Sequence, residues 1–222
     1  MELIVGLLIF GFLGLIILNK YEKPSTVGKT RARGDQYTVS GKKAKVRMPA
    51  QGNKIPSTQH FEEIEKLPSV VVKNIIDGDT VDIMCNKVRE RIRLDAIDCP
   101  EDGQEWGDIA TMGLIKLIGG HKKVKLERHG TDKYGRTIGT LFVYDSEKKR
   151  WLNVSERMVT LGHAWVMPGF CNHLPLQRKK RLMELGAWAK SKKIGLWKRE
   201  DPIPPWQWRK GECVKNGKEI AF

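Results

Sequence analysis

The stretch "SVVVKNIIDGDTVDIMCNKVRERIRLDAIDCPE", residues 69–101, decides the fold. Its opening, SVVVKNII, is rich in β-branched and apolar residues and runs into an Asp-Gly-Asp turn at Asp77–Asp79. TVDIM (80–84) alternates as a strand does, Asn86-Lys87 offers a second turn, and RERIRLDAI (89–97) alternates again, with Ile92, Leu94 and Ala96 on one face. That pattern predicts a three-strand meander. Downstream, WGDIATMGLIKLIGG (106–120) has helical spacing at Ile109, Met112, Leu117 and Ile118, and Gly119-Gly120 ends it. KKVKLER (122–128) and TIGTLFVY (137–144) read as two further strands joined by HGTDKYGR. Five strands with a helix between the third and fourth is the plan of an OB-type barrel. Two more helices, Leu152–Val166 and Leu174–Trp197, complete the expected α+β architecture, a five-stranded OB-fold barrel with three packed helices. No internal repeat is present.

Upstream of this domain the chain changes character twice. Leu3–Leu18, LIVGLLIFGFLGLIIL, is an unbroken apolar run of the kind that spans a bilayer. It lacks the basic start and small-x-small cleavage site of a signal peptide, so residues 1–19 are read as an uncleaved transmembrane helix. Residues 20–67 are polar and basic with no sustained period, and read as a flexible linker ending in a short helical turn at Phe61–Leu67. The folded OB-type domain is read as residues 68–210, and 211–222 as a C-terminal tail. Lys20, Lys23, Lys29, Arg31 and Arg33 follow the anchor, which by the positive-inside rule places the body on the cytoplasmic side.

The totals bound what such a chain does. Its 222 residues, 40% hydrophobic, suffice for one cored domain and not for two full-sized ones. A net charge of +14 favours a polyanionic partner, with plain solubility as the alternative. Cys85, Cys99, Cys171 and Cys213 form no C-x-x-C pair, which argues against a zinc ribbon or a thioredoxin-like motif.

Polar residues collect at the predicted strand ends. Asp77 and Asp79 close the first hairpin, Asp98 and Glu101 follow the third strand, Arg93 lies within it, and Asp132, Lys133, Tyr134 and Arg136 fill the loop between the fourth and fifth. Carboxylates brought close repel unless a cation or proton offsets them, and an all-oxygen set suits a hard ion such as calcium or magnesium. Arginines beside such an ion suit a phosphodiester, whose phosphoryl oxygens gain charge in the transition state. Taken singly, each acid is explained as a turn former or helix cap. Taken together on a basic chain, they favour the metal-plus-arginine reading. Cys99 stands among them as a nucleophile, a disulfide partner or a bystander. No histidine lies nearby to activate it and flanking carboxylates oppose a thiolate, so its backbone is the more useful part. Pro100 biases Cys99 to an extended conformation that turns its carbonyl toward a cation shared with Asp98.

IDGDTV (76–81), RIRLDAIDCPE (91–101) and TDKYGRTIGTLFV (131–143) resemble the three motif blocks of the staphylococcal nuclease (thermonuclease) family. QEWGDIA (104–110), GHAWV (162–166) and GLW…PPWQWR (195–209) resemble its extended bacterial members, so the likeness runs from about Ser69 to Lys210. The resemblance implies an OB-fold, Ca2+-dependent nuclease acting on DNA and RNA and leaving 3′-phosphate and 5′-hydroxyl ends. It implies that Asp79, Asp98 and the carbonyl of Cys99 ligate calcium. Glu101 would serve the attacking water as base, Arg93 and Arg136 would hold the phosphate, and Lys133 and Tyr134 would contact a neighbouring one.

Two departures bear on that expectation. Cys99 replaces a common threonine, which is tolerable if only its carbonyl binds metal. MPGF (167–170) replaces a stretch that often carries base-stacking tyrosines; Trp165 or Phe170 is either a substitute stacking face or core. His121, His129, His163 and His173 have no metal-ligand spacing and are expected to be ordinary surface or core residues. QRKKR (177–181) reads as a solvated face, with nucleic-acid contact as the alternative, and Trp188, Trp197, Trp206 and Trp208 as packing for the C-terminal segment. Two rival readings remain: a non-catalytic nucleic-acid- or protein-binding module tethered to a membrane, and a basic anchor protein that organises polyanions. The sequence calls for no obligate protein partner, and a monomer is expected. A calcium enzyme suits an extracytoplasmic domain, against the charge rule, and the reading leans to that side.

Overall fold

The computed structural model describes residues 57–119, 124–211, 213–215 and 218–220. The expected transmembrane helix 1–19, the linker up to residue 56 and His121 lie outside them. Among the described residues, no helix is long and apolar enough to cross a membrane.

A meander forms as the alternation predicts. Strand β1 (Val71–Ile75) pairs antiparallel with β2 (Thr80–Cys85), and β2 with β3 (Val88–Leu94), in a register that sets Thr80 opposite Arg93 and Cys85 opposite Val88. After helix α2 (Gly107–Ile118), β5 (Val124–Thr131) and β6 (Thr137–Asp145) form a hairpin whose second strand runs parallel to β3. The sheet order is β1-β2-β3-β6-β5. Val70 N–H donates to Val124 O at 2.9 Å and Leu126 N–H to Pro68 O at 3.1 Å, which curls the sheet back on its first strand as a barrel requires. A sixth strand, β7 (Arg150–Asn153), extends β6; the five-strand expectation missed it because Leu152 was read as helical.

Helix packing differs from the periodicity in detail. On α2 the buried side is Ala110, Gly113, Leu114 and Ile118, while Ile109 and Met112 are about half exposed. The helix from 152 shortens to α3 (Val154–Thr160), whose N-cap Asn153 accepts from Glu156 N–H. Gly162, at φ 66°, ends it because the Ile194–Gly195 backbone lies where a side chain would. Residues 165–166 then form β8, paired with the two-residue strand β4 (Ile97–Asp98). Helix α4 (Leu176–Ser191) stops well short of Trp197. Helix α1 (Ser57–Lys66) occupies the end of the segment read as linker; it buries Ile64, and Lys125 Nζ donates to its last carbonyls at Glu65 and Leu67.

The core joins Val81, Ile83, Ile92, Leu94, Leu126, Leu141 and Val143 of the sheet to Leu114, Met158 and Leu185 of the helices. Trp165 is core as well, 5.2 Å from Trp197 and 6.4 Å from Trp206 in edge-on contacts, which anchors the C-terminal segment. In QRKKR, Arg178 bonds Glu127 and Thr140, and Arg181 bonds Glu156, so those two arginines tie α4 down rather than facing solvent freely.

A Cβ at Gly78 would stand 2.8 Å from Cys99 Cβ and 3.0 Å from Ala110 Cβ. Gly78→Val is therefore expected to cost about 1–3 kcal/mol by overpacking, read as a lower urea midpoint.

Candidate active site

The turn between β1 and β2 aims an acid inward. Asp79 N–H donates to Asp77 Oδ1 at 2.9 Å, and Asp79 O accepts from Leu94 N–H at 2.8 Å, which locks the turn to the end of β3. β3 then breaks. Ala96 adopts φ 61°, so the alternation expected through Ile97 ends at Leu94, and the chain turns a corner that brings Asp98 back beneath Asp79.

Arg93 stands between the two carboxylates. Its guanidinium meets Asp79 Oδ2 at 3.1 Å and Asp98 Oδ1 at 2.8 Å. Asp79 also accepts from Cys99 N–H at 2.8 Å and from the Thr80 hydroxyl at 3.1 Å. Asp98, only 1% exposed, receives Arg209 Nη2 on its other oxygen at 2.8 Å. Burial pushes the Asp79 carboxyl up to about 7; Arg93 and the Cys99 amide oppose the rise, and Asp77 and Asp98 add to it by repulsion.

Cys99 is held by its surroundings rather than poised to react. Its thiol is buried and donates to Gly78 O at 3.2 Å, and burial, then the Asp79 charge, push its pKa well above the ordinary value. Cys85, Cys99 and Cys171 are all free thiols. Past Pro100, Glu101 N–H donates to Gln104 Oε1 at 2.9 Å, and Gln104 Nε2 donates to Ile203 O at 2.7 Å. That strut seats the C-terminal segment so that Arg209, just after helix α5 (Pro205–Trp208), contacts both Glu101 and Asp98.

The rim is the β5–β6 loop. Asp132 Oδ1 accepts from the N–H groups of Tyr134 and Arg136, and Oδ2 from Arg136 Nε at 2.7 Å. Burial alone would raise Asp132, but these donors outweigh it and hold it below the usual carboxylate range. Tyr134 is 71% exposed, with Lys133 Nζ 4.9 Å and Arg136 Cζ 5.5 Å from its ring centre. Across the opening, Phe170 is 64% exposed.

All eight predicted site residues, Asp79, Arg93, Asp98, Cys99, Glu101, Lys133, Tyr134 and Arg136, line one cavity of about 1450 Å³. They form a buried floor of acids and Arg93, and a basic, aromatic rim. Arg136 belongs to the rim; its guanidinium is bonded to Asp132. Of the two stacking options, Phe170 lines the cavity and Trp165 does not. Arg209 and Gln104 were missed, because nothing local to PPWQWR marks an arginine that reaches residues so far upstream.

The floor suits a hard cation by donor chemistry and by charge. Asp77, Asp79, Asp98 and Glu101 face the guanidiniums of Arg93 and Arg209, which leaves an excess of two negative charges once all four acids are ionised. The donors are oxygens throughout. The three side chains Asp79, Asp98 and Glu101 do not themselves close into a tight triad; among the described residues, the one set of three ligating side chains within 4.8 Å of one another is Asp95, His129 and His173.

A model of the family described as staphylococcal nuclease homologue matches residues 91–199. An uncharacterized endonuclease of Escherichia coli is 37% identical over 140 residues, covering 62% of this chain and 82% of that protein. The micrococcal nuclease of Shigella flexneri is 32% identical over 142 residues, covering 63% and 79% respectively. The Escherichia coli protein ParB is 34% identical over 142 residues, covering 63% and 77%. The family match starts beyond Asp79 and stops before Arg209, so those two floor residues rest on the geometry.

Between the ordinary value of 3.8 and about 7, the folded chain holds the Asp79 proton more tightly than the unfolded chain does. The stability this contributes is complete below the lower value and is lost as pH rises through the upper one. Metal-free protein should therefore lose stability across that window, and Asp79→Asn should flatten the slope, as read by urea midpoints at a series of pH values.

Proposed function

As the chain belongs to the family of staphylococcal nuclease homologues, we propose that it is a Ca2+-dependent nuclease that hydrolyses phosphodiester bonds of DNA or RNA. The observation that carries this reading is the floor just described: paired carboxylates and arginines, with two uncompensated negative charges, beneath a rim of Lys133, Tyr134 and Arg136.

Asp79, Asp98 and the Cys99 carbonyl would hold the ion. Bound there, calcium supplies Lewis-acid stabilisation of charge on a phosphoryl oxygen. The remaining steps fall to the chain itself. Glu101 accepts a proton from the attacking water, whose oxygen forms the new bond to phosphorus. The bond to the 5′ oxygen breaks and that oxygen takes a proton from solvent water, leaving a 3′-phosphate and a 5′-hydroxyl. Arg93 offers paired donors to the phosphate in flight, and Arg136 turns from Asp132 to share it. Lys133 and Tyr134 take a neighbouring phosphate, and Phe170 offers a face for a base. Arg209 orients Glu101.

The proposal extends to the whole chain as a monomer anchored in a membrane by residues 1–19, with the catalytic domain on the extracytoplasmic side. The apolar run Leu3–Leu18 supports the anchor, and the calcium requirement supports the side.

Denatured DNA incubated with the full chain should be degraded with Ca2+ and spared on chelation. Glu101→Gln should slow cleavage about 10²–10⁴-fold, and Arg93→Ala about 10²–10³-fold. Cys99→Ser should retain activity, since only its backbone is used. A folded chain that binds nucleic acid and never cuts it across a range of metals would be the non-catalytic module instead.

A further inference from the structure

In one wall of the cavity, three side chains from separate segments converge, and two of them, Asp95 and His173, line the cavity itself. Asp95 stands at the corner between β3 and β4, His129 in β5, and His173 beyond the single 3₁₀ turn at Pro168–Phe170. Asp95 Oδ2 lies 3.5 Å from His173 Nε2 and 3.8 Å from His129 Nε2. The two imidazoles lie 4.5 Å apart, centre to centre. These separations are too long for strong hydrogen bonds. They approach the spacing of ligands that share one four-coordinate ion with bonds of about 2.0–2.2 Å.

The surroundings favour an ion over a bare ion pair. The Asp95 side chain is 2% exposed, and the Ser155 hydroxyl donates to its Oδ1 at 3.1 Å, the outer-shell bond that orients a metal-bound carboxylate. Among the described residues, Oδ2 has no partner nearer than His173. A buried carboxylate left so is costly. Arg178 donates to Thr140 Oγ1 at 2.8 Å, which leaves the Thr140 hydroxyl proton to point at His129 Nε2, 2.8 Å away. That contact keeps Nε2 unprotonated, and an ion takes its single lone pair in place of the Thr140 hydroxyl, which Arg178 goes on holding. Burial also holds His129 toward its neutral form, the form that binds metals. The charge of Arg178 is offset by Glu127 at 2.7 Å.

We propose that Asp95, His129 and His173 form a second metal site, selective for a borderline transition ion of the Zn2+ class, with water in the fourth position. Two imidazoles and one carboxylate suit such an ion and not calcium, which takes oxygens. The site is separate from the carboxylate floor and does not depend on the nuclease reading. Asn172 and Phe170, beside His173, line the main cavity, so an ion here pins that wall to the barrel.

The test uses the full chain in detergent, stripped of metal and titrated with Zn2+ alone, then with Co2+ as a spectroscopic probe. One Zn2+ should bind per chain in the presence of excess Ca2+, and Co2+ should give the visible bands of a four-coordinate site. His173→Ala and His129→Ala should weaken Zn2+ binding by more than about a hundredfold, beyond the loss caused by an outer-shell change. Glu101→Gln, a change in the carboxylate floor at a partly exposed side chain, should leave it intact. Zinc should raise the melting midpoint of the wild type and not of His173→Gln, whose partly exposed side chain makes misfolding a poor excuse. Absence of stoichiometric binding would overturn the proposal. So would binding that survives both histidine replacements, or that disappears in Glu101→Gln.

Discussion

The structure depends on pairing the almost wholly buried Asp98 side chain. A charge in that position is sustained only by pairing, and two guanidiniums supply it from opposite sides, Arg93 from within β3 and Arg209 from the far end of the domain. Each pairing dictates architecture. Arg93 reaches Asp98 because the left-handed Ala96 turns the chain back on itself. Arg209 reaches it because Gln104 and the stack of Trp165, Trp197 and Trp206 seat the last segment against the barrel.

Crowding gives the floor its chemical character. Burial, with repulsion from Asp77 and Asp98 added and Arg93 opposing, holds the Asp79 proton up to about neutral pH. A divalent cation relieves that repulsion better than a proton does, since it balances the whole excess charge. The rim loop presents Tyr134 and Lys133 to solvent at the mouth of this cavity.

Much of this was legible because it is local. The meander follows from period-two alternation interrupted by Asp-Gly-Asp, and the acids at strand ends follow from the meander. Gly78 was readable as a turn residue, while its tight packing on Cys99 was not. Cys99 itself is a small buried filler whose amide steadies Asp79, a role distinct from the carbonyl ligand expected of it. Arg209 was illegible because its partners are set by tertiary docking. The same holds for Asp95, His129 and His173, whose spacing along the chain obeys no metal-site pattern although their side chains converge. Helix ends were misjudged where a glycine conformation or a strand pairing overrode apolar spacing, at Gly162 and at Leu152.

The most direct test of the account is the proton released when Ca2+ is added to the full chain in weak buffer at about pH 6, since metal binding displaces protons from its ligands. With Asp79 titrating near 7, the account predicts release of close to one proton per ion bound, abolished in Asp79→Asn. Calcium that fails to bind, or that binds with no proton released, would contradict it.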